Sequence, residues 1–100
     1  MAIEVVWTHE AIQTFDRQII YITSEWGELA AEKLFRSTDS AIQRIQLFPE
    51  SYPPGVHRKT YRRARLNRHI VMFYKYHKAQ RKISIITFWH SKQDPGKLKY

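Results

Sequence analysis

The sequence predicts an α+β domain in which an antiparallel helical hairpin packs on one face of a small, mostly antiparallel sheet. Apolar residues recur at spacings of three and four through the first half of the 100-residue chain, and such spacings are typical of helices. β-Branched and aromatic residues cluster in short runs through the second half, as they do in strands. Helices followed by strands indicate an α+β fold. At this length we expect residues 1–100 to form one domain.

An N-terminal strand comes first. The run from Ile3 to Trp7 is β-branched and aromatic, which predicts a short strand. Thr8 follows, and its hydroxyl can accept a hydrogen bond from a free N–H group of a first helical turn. We therefore expect a helix to begin directly after Thr8.

The helical hairpin is predicted over about residues 8–48. The apolar face of the first helix consists of Ile12, Phe15, Ile19, Ile22 and Trp26. That of the second consists of Leu34, Ala41, Ile45 and Phe48. Gly27 interrupts the pattern, and we expect it to adopt the positive φ that closes a helix, with Trp26 buried against the second helix. Pro49 ends the second helix, and the short linker makes the pair antiparallel.

The sheet is predicted over about residues 56–92, after a turn-rich segment at residues 49–55. Three runs are rich in β-branched and aromatic residues: His57–Tyr61, Ile70–Tyr76 and Ile83–Trp89. The segment Lys78–Lys82 between the last two is long enough for a hairpin turn. With the first strand, these runs complete the predicted sheet.

Charge is divided unevenly between the two halves of the chain. Residues 1–50 carry four basic and eight acidic residues, a net charge of −4. Residues 51–100 carry thirteen basic residues and one acidic residue, a net charge of +12. The helices are therefore acidic and the sheet basic. A field of this sign attracts phosphates or an acidic protein.

Four arginines lie shortly after the predicted strand His57–Tyr61. These are Arg62, Arg63, Arg65 and Arg68, and His69 follows them. Guanidinium groups bind phosphate or carboxylate through two parallel hydrogen bonds. Because side chains alternate along a strand, Arg63 and Arg65 can share one face while Arg62 points to the other.

The end of the last predicted strand carries a second group of polar residues, His90, Lys92 and Gln93. His90 can exchange protons near neutral pH, although a histidine at a strand end often has only a structural role. Neighbouring cations oppose protonation of histidine, so we expect neutral histidines in this half.

Composition argues against several other classes of protein. The chain has no cysteine, and its histidines in the basic half are spaced by 12, 8 and 13 residues, which matches no zinc pattern. Phosphate-loop and nucleophile-elbow motifs are absent. Apolar runs are far shorter than the roughly 20 residues that cross a bilayer. We expect a cytoplasmic protein with no metal, cofactor or membrane partner.

Taken together, these segments resemble the RelE/ParE superfamily of bacterial toxins from type II toxin–antitoxin systems. The resemblance covers essentially the whole chain and is carried by Ile3–Trp7, Tyr21–Gly27, Tyr61–Arg63, His69–Tyr74 and Trp89–Asp94. It implies the fold predicted above and a hetero-oligomer with a cognate antitoxin. The charge asymmetry predicts that the antitoxin has an acidic tail with apolar anchors.

The superfamily divides by target. ParE-like members inhibit DNA gyrase, and RelE-like members cut messenger RNA in the ribosomal A site. The aromatic-Arg-Arg strand and the His-Ser-Lys-Gln-Asp strand end are similar to ParE, which makes gyrase the expected target. The residues expected to bind the target are Arg62, Arg63, Arg65, Arg68, His69, His90, Lys92 and Gln93.

Two alternatives remain at the level of sequence. A ribosome-dependent ribonuclease would need a base, an acid and cations on the phosphorane. Lys59 or His90 could then carry the proton, with Arg63 and Arg65 on the phosphate. A version with a glutamate base is disfavoured because no Glu follows Glu50. The second alternative is a harmless basic module that binds nucleic acid, with aromatic side chains stacked on bases.

Overall fold

The predicted α+β architecture is confirmed by a computed structural model, which describes residues 3–93 and 95–100. The strands are β1 (Glu4–Trp7), β2 (Arg62–Arg65), β3 (Ile70–His77) and β4 (Lys82–His90). The helices α1 (His9–Trp26) and α2 (Glu28–Leu47) follow β1 and precede β2 along the chain. Short 3-10 turns occupy Lys78–Gln80 and Pro95–Lys97. Within the described part of the chain, neither α1 nor α2 has an apolar stretch able to cross a membrane.

The four strands form one sheet in the order β1-β4-β3-β2. Strands β2, β3 and β4 pair antiparallel with their neighbours, whereas β1 pairs parallel to β4. Parallel pairing needs a long connection, which the helices and the rest of the sheet provide. The register between β3 and β4 shifts between Phe73 and Tyr74, which marks a β-bulge. A bulge bends its strand, so the two halves of β4 differ in orientation.

The core lies between the helical hairpin and one face of the sheet. The helices contribute Ala11, Phe15, Ile22, Ala31, Leu34, Ala41 and Ile45. The strands contribute Ala64, Ile70, Met72, Tyr74, Ile83, Ile85 and Phe88. Tyr74 is the largest fully buried side chain, and its hydroxyl donates to the Pro49 carbonyl at 2.7 Å. Burial raises the pKa of Tyr74 to about 12, so it is a neutral core residue.

Side chains of α1 bond to the backbone of β4 along the edge that extends beyond the end of β1. The Phe88 N–H donates to Thr14 Oγ1 at 2.9 Å, and Gln18 Nε2 donates to the Phe88 carbonyl at 3.5 Å. Thr8 Oγ1 donates to the Ile85 carbonyl at 2.9 Å. Buried backbone groups need such partners, so polar side chains of α1 replace the missing strand and hold the end of β4 against the helix.

The helix ends follow the sequence except at Trp26. Thr8 caps α1 by accepting from the Ala11 N–H at 3.1 Å, and Gly27 has a φ of 89°, as predicted. The expected burial of Trp26 against α2 is wrong, because its side chain is 52% exposed. Trp26 is the last residue of α1, and its ring extends past the hairpin and stacks on His69. Ile12 and Phe48, also expected to face inward, are exposed as well.

The predicted strand His57–Tyr61 is also wrong. Strand β2 begins at Arg62, and residues 57–61 form turns. The His57 and Arg58 N–H groups both donate to the Tyr100 carbonyl, at 3.1 and 3.3 Å. The backbone of this segment is therefore bonded to the C-terminal residue instead of extending the ladder to β3.

Candidate functional site

His90 ends β4 with its side chain on the helix-covered face, where it is only 6% exposed. Its N–H donates to Gln93 Oε1 at 2.8 Å, and its Nδ1 accepts from the Lys92 N–H at 3.0 Å. Because Nδ1 is an acceptor, the neutral ring carries its proton on Nε2. Nε2 is enclosed and has no hydrogen-bond partner among the described residues.

Four aromatic rings meet where α1, β3 and β4 come together, and we call them the ring cluster: Tyr21, Trp26, His69 and His90. The His69 and His90 rings are parallel with centroids 5.5 Å apart, and Trp26 is parallel to His69 at 5.7 Å. Tyr21 stands perpendicular to His90 at 5.3 Å and to Trp26 at 5.9 Å. Edge-on and offset-parallel arrangements are the favourable geometries for such rings.

The ring cluster keeps His90 neutral. Burial lowers the pKa of His90, and the charges of His69 and Lys92 lower it further. The direction agrees with the sequence-based expectation, but burial is a larger cause than the neighbouring cations. At neutral pH His90 is therefore a hydrogen-bond donor through Nε2 and not a source of positive charge.

A pocket of about 300 Å³ opens beside the ring cluster, between α1 and the end of β4. We call it the α1–β4 pocket. Its walls are formed by Arg17, Gln18, Tyr21, His90, Lys92 and Gln93. Arg17 and Lys92 are exposed cations, and its lining is mostly apolar. The pocket thus combines a positively charged rim with an aromatic floor.

The arginines of β2 divide between the two faces of the sheet. Register pairs Arg63 with Phe73 and Arg65 with Val71, and both arginines are exposed on the face away from the helices. Arg62 points to the helix side, where it donates to the Tyr52 carbonyl at 2.7 Å and pairs with a Glu50 carboxylate at 3.5 Å. Arg62 therefore holds the preceding loop in place.

Two other predicted residues lie in loops. Arg68 is exposed in the turn between β2 and β3, and Lys59 is exposed in the segment before β2. Asn67 Oδ1 accepts from the N–H groups of His69 and Ile70, at 2.8 and 2.9 Å. This Asn67 contact fixes the turn and orients His69 toward the ring cluster.

Comparison with known families identifies the chain. A family model described as the ParE toxin of type II toxin–antitoxin system, parDE, matches residues 5–95. The chain belongs to the ParE toxin family. A type II system pairs each toxin with an antitoxin, so membership implies an antitoxin partner. No curated protein matches the sequence.

Solved structures of other ParE-related chains share this fold. A chain of the chromosomal ParDE TA system from P. aeruginosa superposes with a TM-score of 0.71 at 14% identity, over 88% of this chain and 95% of that one. A YoeB/ParE toxin from Agrobacterium tumefaciens gives a TM-score of 0.65 at 11% identity, over 87% and 96% respectively. At these identities the likeness concerns the fold alone.

In this ParE-family chain the predicted target-binding residues fall into separate groups. His69 and His90 belong to the ring cluster and Lys92 and Gln93 lie beside it, whereas Arg63 and Arg65 lie on the opposite face of the sheet. Arg62 and Arg68 belong to neither group. The ribonuclease set of Lys59, Arg63, Arg65 and His90 is therefore not assembled, because His90 is buried under α1 and faces away from both arginines. Asp94, part of the resemblance, lies outside the described residues.

Helix α1 contributes a part of the site that the sequence motifs do not predict. Arg17 and Tyr21 lie four residues apart and therefore share one face of the helix. Their spacing was a usable signal, but only the fold shows that this face meets His90. Among residues 3–93 and 95–100, no group of three or more potential ligands is placed to hold a metal ion.

Proposed function

We propose that this ParE-family protein inhibits DNA gyrase by binding it, and that its cognate antitoxin neutralises it in the cytoplasm. The observation that supports this proposal is the position of His90 relative to the arginines. A nuclease needs its base and its phosphate-binding cations around one scissile bond. Here the titratable histidine and the arginine pair face opposite sides of the sheet.

The bonding of His90 also disfavours a role as general base. A base must offer a lone pair to a proton within hydrogen-bond reach. The Nδ1 lone pair already accepts from the Lys92 N–H, and Nε2 carries the ring proton inside the ring cluster. Neither ring nitrogen therefore offers a lone pair to a ribose hydroxyl.

The exposed face of the sheet supports a binding role. Arg63 and Arg65 lie there, and strand alternation adds Lys75, His77 and Lys82 to the same face. Arg63 Nε donates to the Pro54 carbonyl at 3.1 Å, which orients its guanidinium group. We expect this cationic face to contact gyrase, with Arg68, Lys92 and Gln93 as further contacts at its end.

The net charge of +12 over residues 51–100 is the reason to expect an acidic antitoxin segment. Opposite charge steers association and suppresses wrong partners. The apolar side chains of Ile12 and Phe35 are exposed on the hairpin, and they offer positions for the apolar anchors of such a segment.

Two assays on antitoxin-free protein test the proposal. The first measures gyrase supercoiling and trapped cleavage complexes, and the second measures message cleavage in a translation extract by primer extension. We expect gyrase inhibition with intact message. Codon-spaced cuts with unaffected gyrase would instead establish the ribonuclease, and normal growth on expression would indicate the harmless nucleic-acid-binding module.

A matched pair of variants locates the binding face. The double variant Arg63→Ala/Arg65→Ala should raise the concentration needed for half-inhibition of gyrase by roughly tenfold or more, as expected when two charged contacts of a binding patch are lost. Lys33→Ala, on the exposed surface of α2, serves as the control. Equal inhibition by both variants would place the contact elsewhere.

A further inference from the structure

The proposed gyrase contacts at Lys92 and Gln93 do not account for the concave shape of the α1–β4 pocket or for the presence of Arg17 in its wall. Among the described residues, its charged side chains are the two cations Arg17 and Lys92, and no acidic residue lines it. Its two amides are already oriented, since Gln18 Nε2 donates to the Phe88 carbonyl and Gln93 Oε1 accepts from the His90 N–H. The two cations and the remaining Nε2 donor of Gln93 thus favour a ligand that accepts hydrogen bonds.

We propose that the α1–β4 pocket binds the side-chain carboxylate of an acidic peptide segment, held between Arg17 and Lys92. This inference rests on the proposed neutralisation by an acidic antitoxin, and it names the site where one acidic residue of that partner docks. A guanidinium group binds a carboxylate through two parallel hydrogen bonds. A glutamate side chain also has an apolar stem, which suits the aromatic floor formed by Tyr21 and His90.

His90 provides the second, independent indication of a ligand. Its side chain is 94% buried, lines the pocket, and has an Nε2 donor with no hydrogen-bond partner among the described residues. Buried polar groups are almost always hydrogen-bonded. Tyr21 stands perpendicular to this ring and is itself 37% exposed. Both rings line the α1–β4 pocket, so we expect the bound carboxylate to accept from the Nε2 proton once the Tyr21 side chain turns aside.

The lining favours a carboxylate of a peptide over a phosphate of nucleic acid. Among the described residues the rim supplies two cations, and the remaining surface is mostly apolar. A nucleic-acid backbone is recognised by rows of cations along an open groove, and such a row lies on the other face of the sheet. The pocket is therefore matched to a single charge on an apolar stem.

Blocked amino acids provide a direct test on the intact 100-residue chain. N-acetyl-glutamate amide, its neutral counterpart N-acetyl-glutamine amide, and inorganic phosphate are each titrated while side-chain NMR signals of His90 and Tyr21 are followed. We expect saturable shifts with the glutamate probe alone. Equal shifts with the glutamine probe, stronger binding of phosphate, or non-saturating shifts would each overturn the proposal.

Variants connect the binding to the two cations. Arg17→Gln and Lys92→Gln should each weaken binding of the glutamate probe at least about threefold, a typical loss for one exposed charge pair. Lys78→Gln, an exposed cation in the turn between β3 and β4, should leave binding unchanged. All three side chains are exposed, so the variants fold. Equal loss in all three variants would mean nonspecific attraction to the positive field and would overturn the proposal.

The gyrase assay uses none of these probes, so the two proposals fail separately.

Discussion

Gly27 joins the two helices without any linker. Its N–H donates to the Thr23 carbonyl and closes α1, while its carbonyl accepts from the Ala31 N–H in the first turn of α2. With φ at 89° and ψ at 179°, Gly27 lies in a region of backbone conformation open almost only to glycine. This differs from the left-handed helical region in which most helices end.

Gly27→Ala should lower the free energy of unfolding by about 1–3 kcal/mol, the usual cost of this backbone region for a residue with a Cβ atom. No atom lies within 4 Å of the added Cβ, so the loss is conformational and not a clash. Urea unfolding measures it. Gly27→Asn should be equally damaging, because asparagine tolerates the left-handed helical region and not this one. Near-native stability of the Asn variant would show that the residue is left-handed helical instead.

His90 makes the stability of the protein dependent on pH. Burial lowers the pKa of His90 below its usual 6.5, so the unfolded chain binds a proton more readily than the folded one. The stabilisation is complete above about pH 6.5 and is lost as pH falls through the lowered folded pKa. Burial also lowers the pKa of His77, which adds to the same trend.

We therefore expect the thermal unfolding temperature to decrease as the pH is lowered from about 7.5 to about 5.5, the range in which histidine titrates. His90→Asn should flatten this slope, because asparagine cannot be protonated there and its oxygen can accept from the Lys92 N–H as Nδ1 does. His77→Gln should remove the part of the slope that His77 contributes. An unchanged slope in the double variant would contradict this account.

At the scale of elements, the β4 edge that faces away from β3 is bonded near its end by side chains of α1 and not by another strand. Thr14 accepts the Phe88 N–H, and Gln18 donates to the Phe88 carbonyl. These bonds position both His90 and the α1–β4 pocket. A sequence does not reveal them, because they join residues at least 70 positions apart.

Thr14→Val should cost about 1–3 kcal/mol of unfolding free energy, because it leaves the Phe88 N–H without its acceptor. Hydrogen exchange at Phe88 should accelerate, whereas Thr14→Ser should keep the bond and its protection. Thr23→Val, at an exposed position of the same helix, controls for the lower helix propensity of valine. Equal losses in Thr14→Val and Thr23→Val would show that the hydroxyl contact contributes nothing.

The elements themselves were largely predictable, and the failures have local causes. β3 and β4 followed from their β-branched and aromatic runs, and alternation predicted that Arg63 and Arg65 share a face. The segment 57–61 has the composition of a strand, but the N–H groups of His57 and Arg58 are bonded to the Tyr100 carbonyl. Trp26 fits a helical period, yet it is the last residue of its helix and stacks on His69. Both outcomes depend on contacts distant in sequence.

At the scale of the whole molecule, charge follows the division of the fold. The acidic half forms β1 and the hairpin, and the basic half forms the other three strands. Because the register places Arg63, Arg65, Lys75 and Lys82 on the face away from the helices, the positive field points outward on that side. A partner with an acidic segment is attracted to this side before any contact forms.

This field predicts a salt-dependent rate of association with the antitoxin. Between about 50 mM and 500 mM NaCl, screening should lower the association rate constant by roughly tenfold or more and change the dissociation rate constant much less. Surface plasmon resonance measures both. Lys75→Gln/Lys82→Gln should reduce the rate at low salt and flatten its salt dependence, whereas Lys33→Gln, within the acidic half, should not. A constant association rate with salt-sensitive dissociation would mean that the charges act only in close contact, and the outward field would have no role in finding the partner.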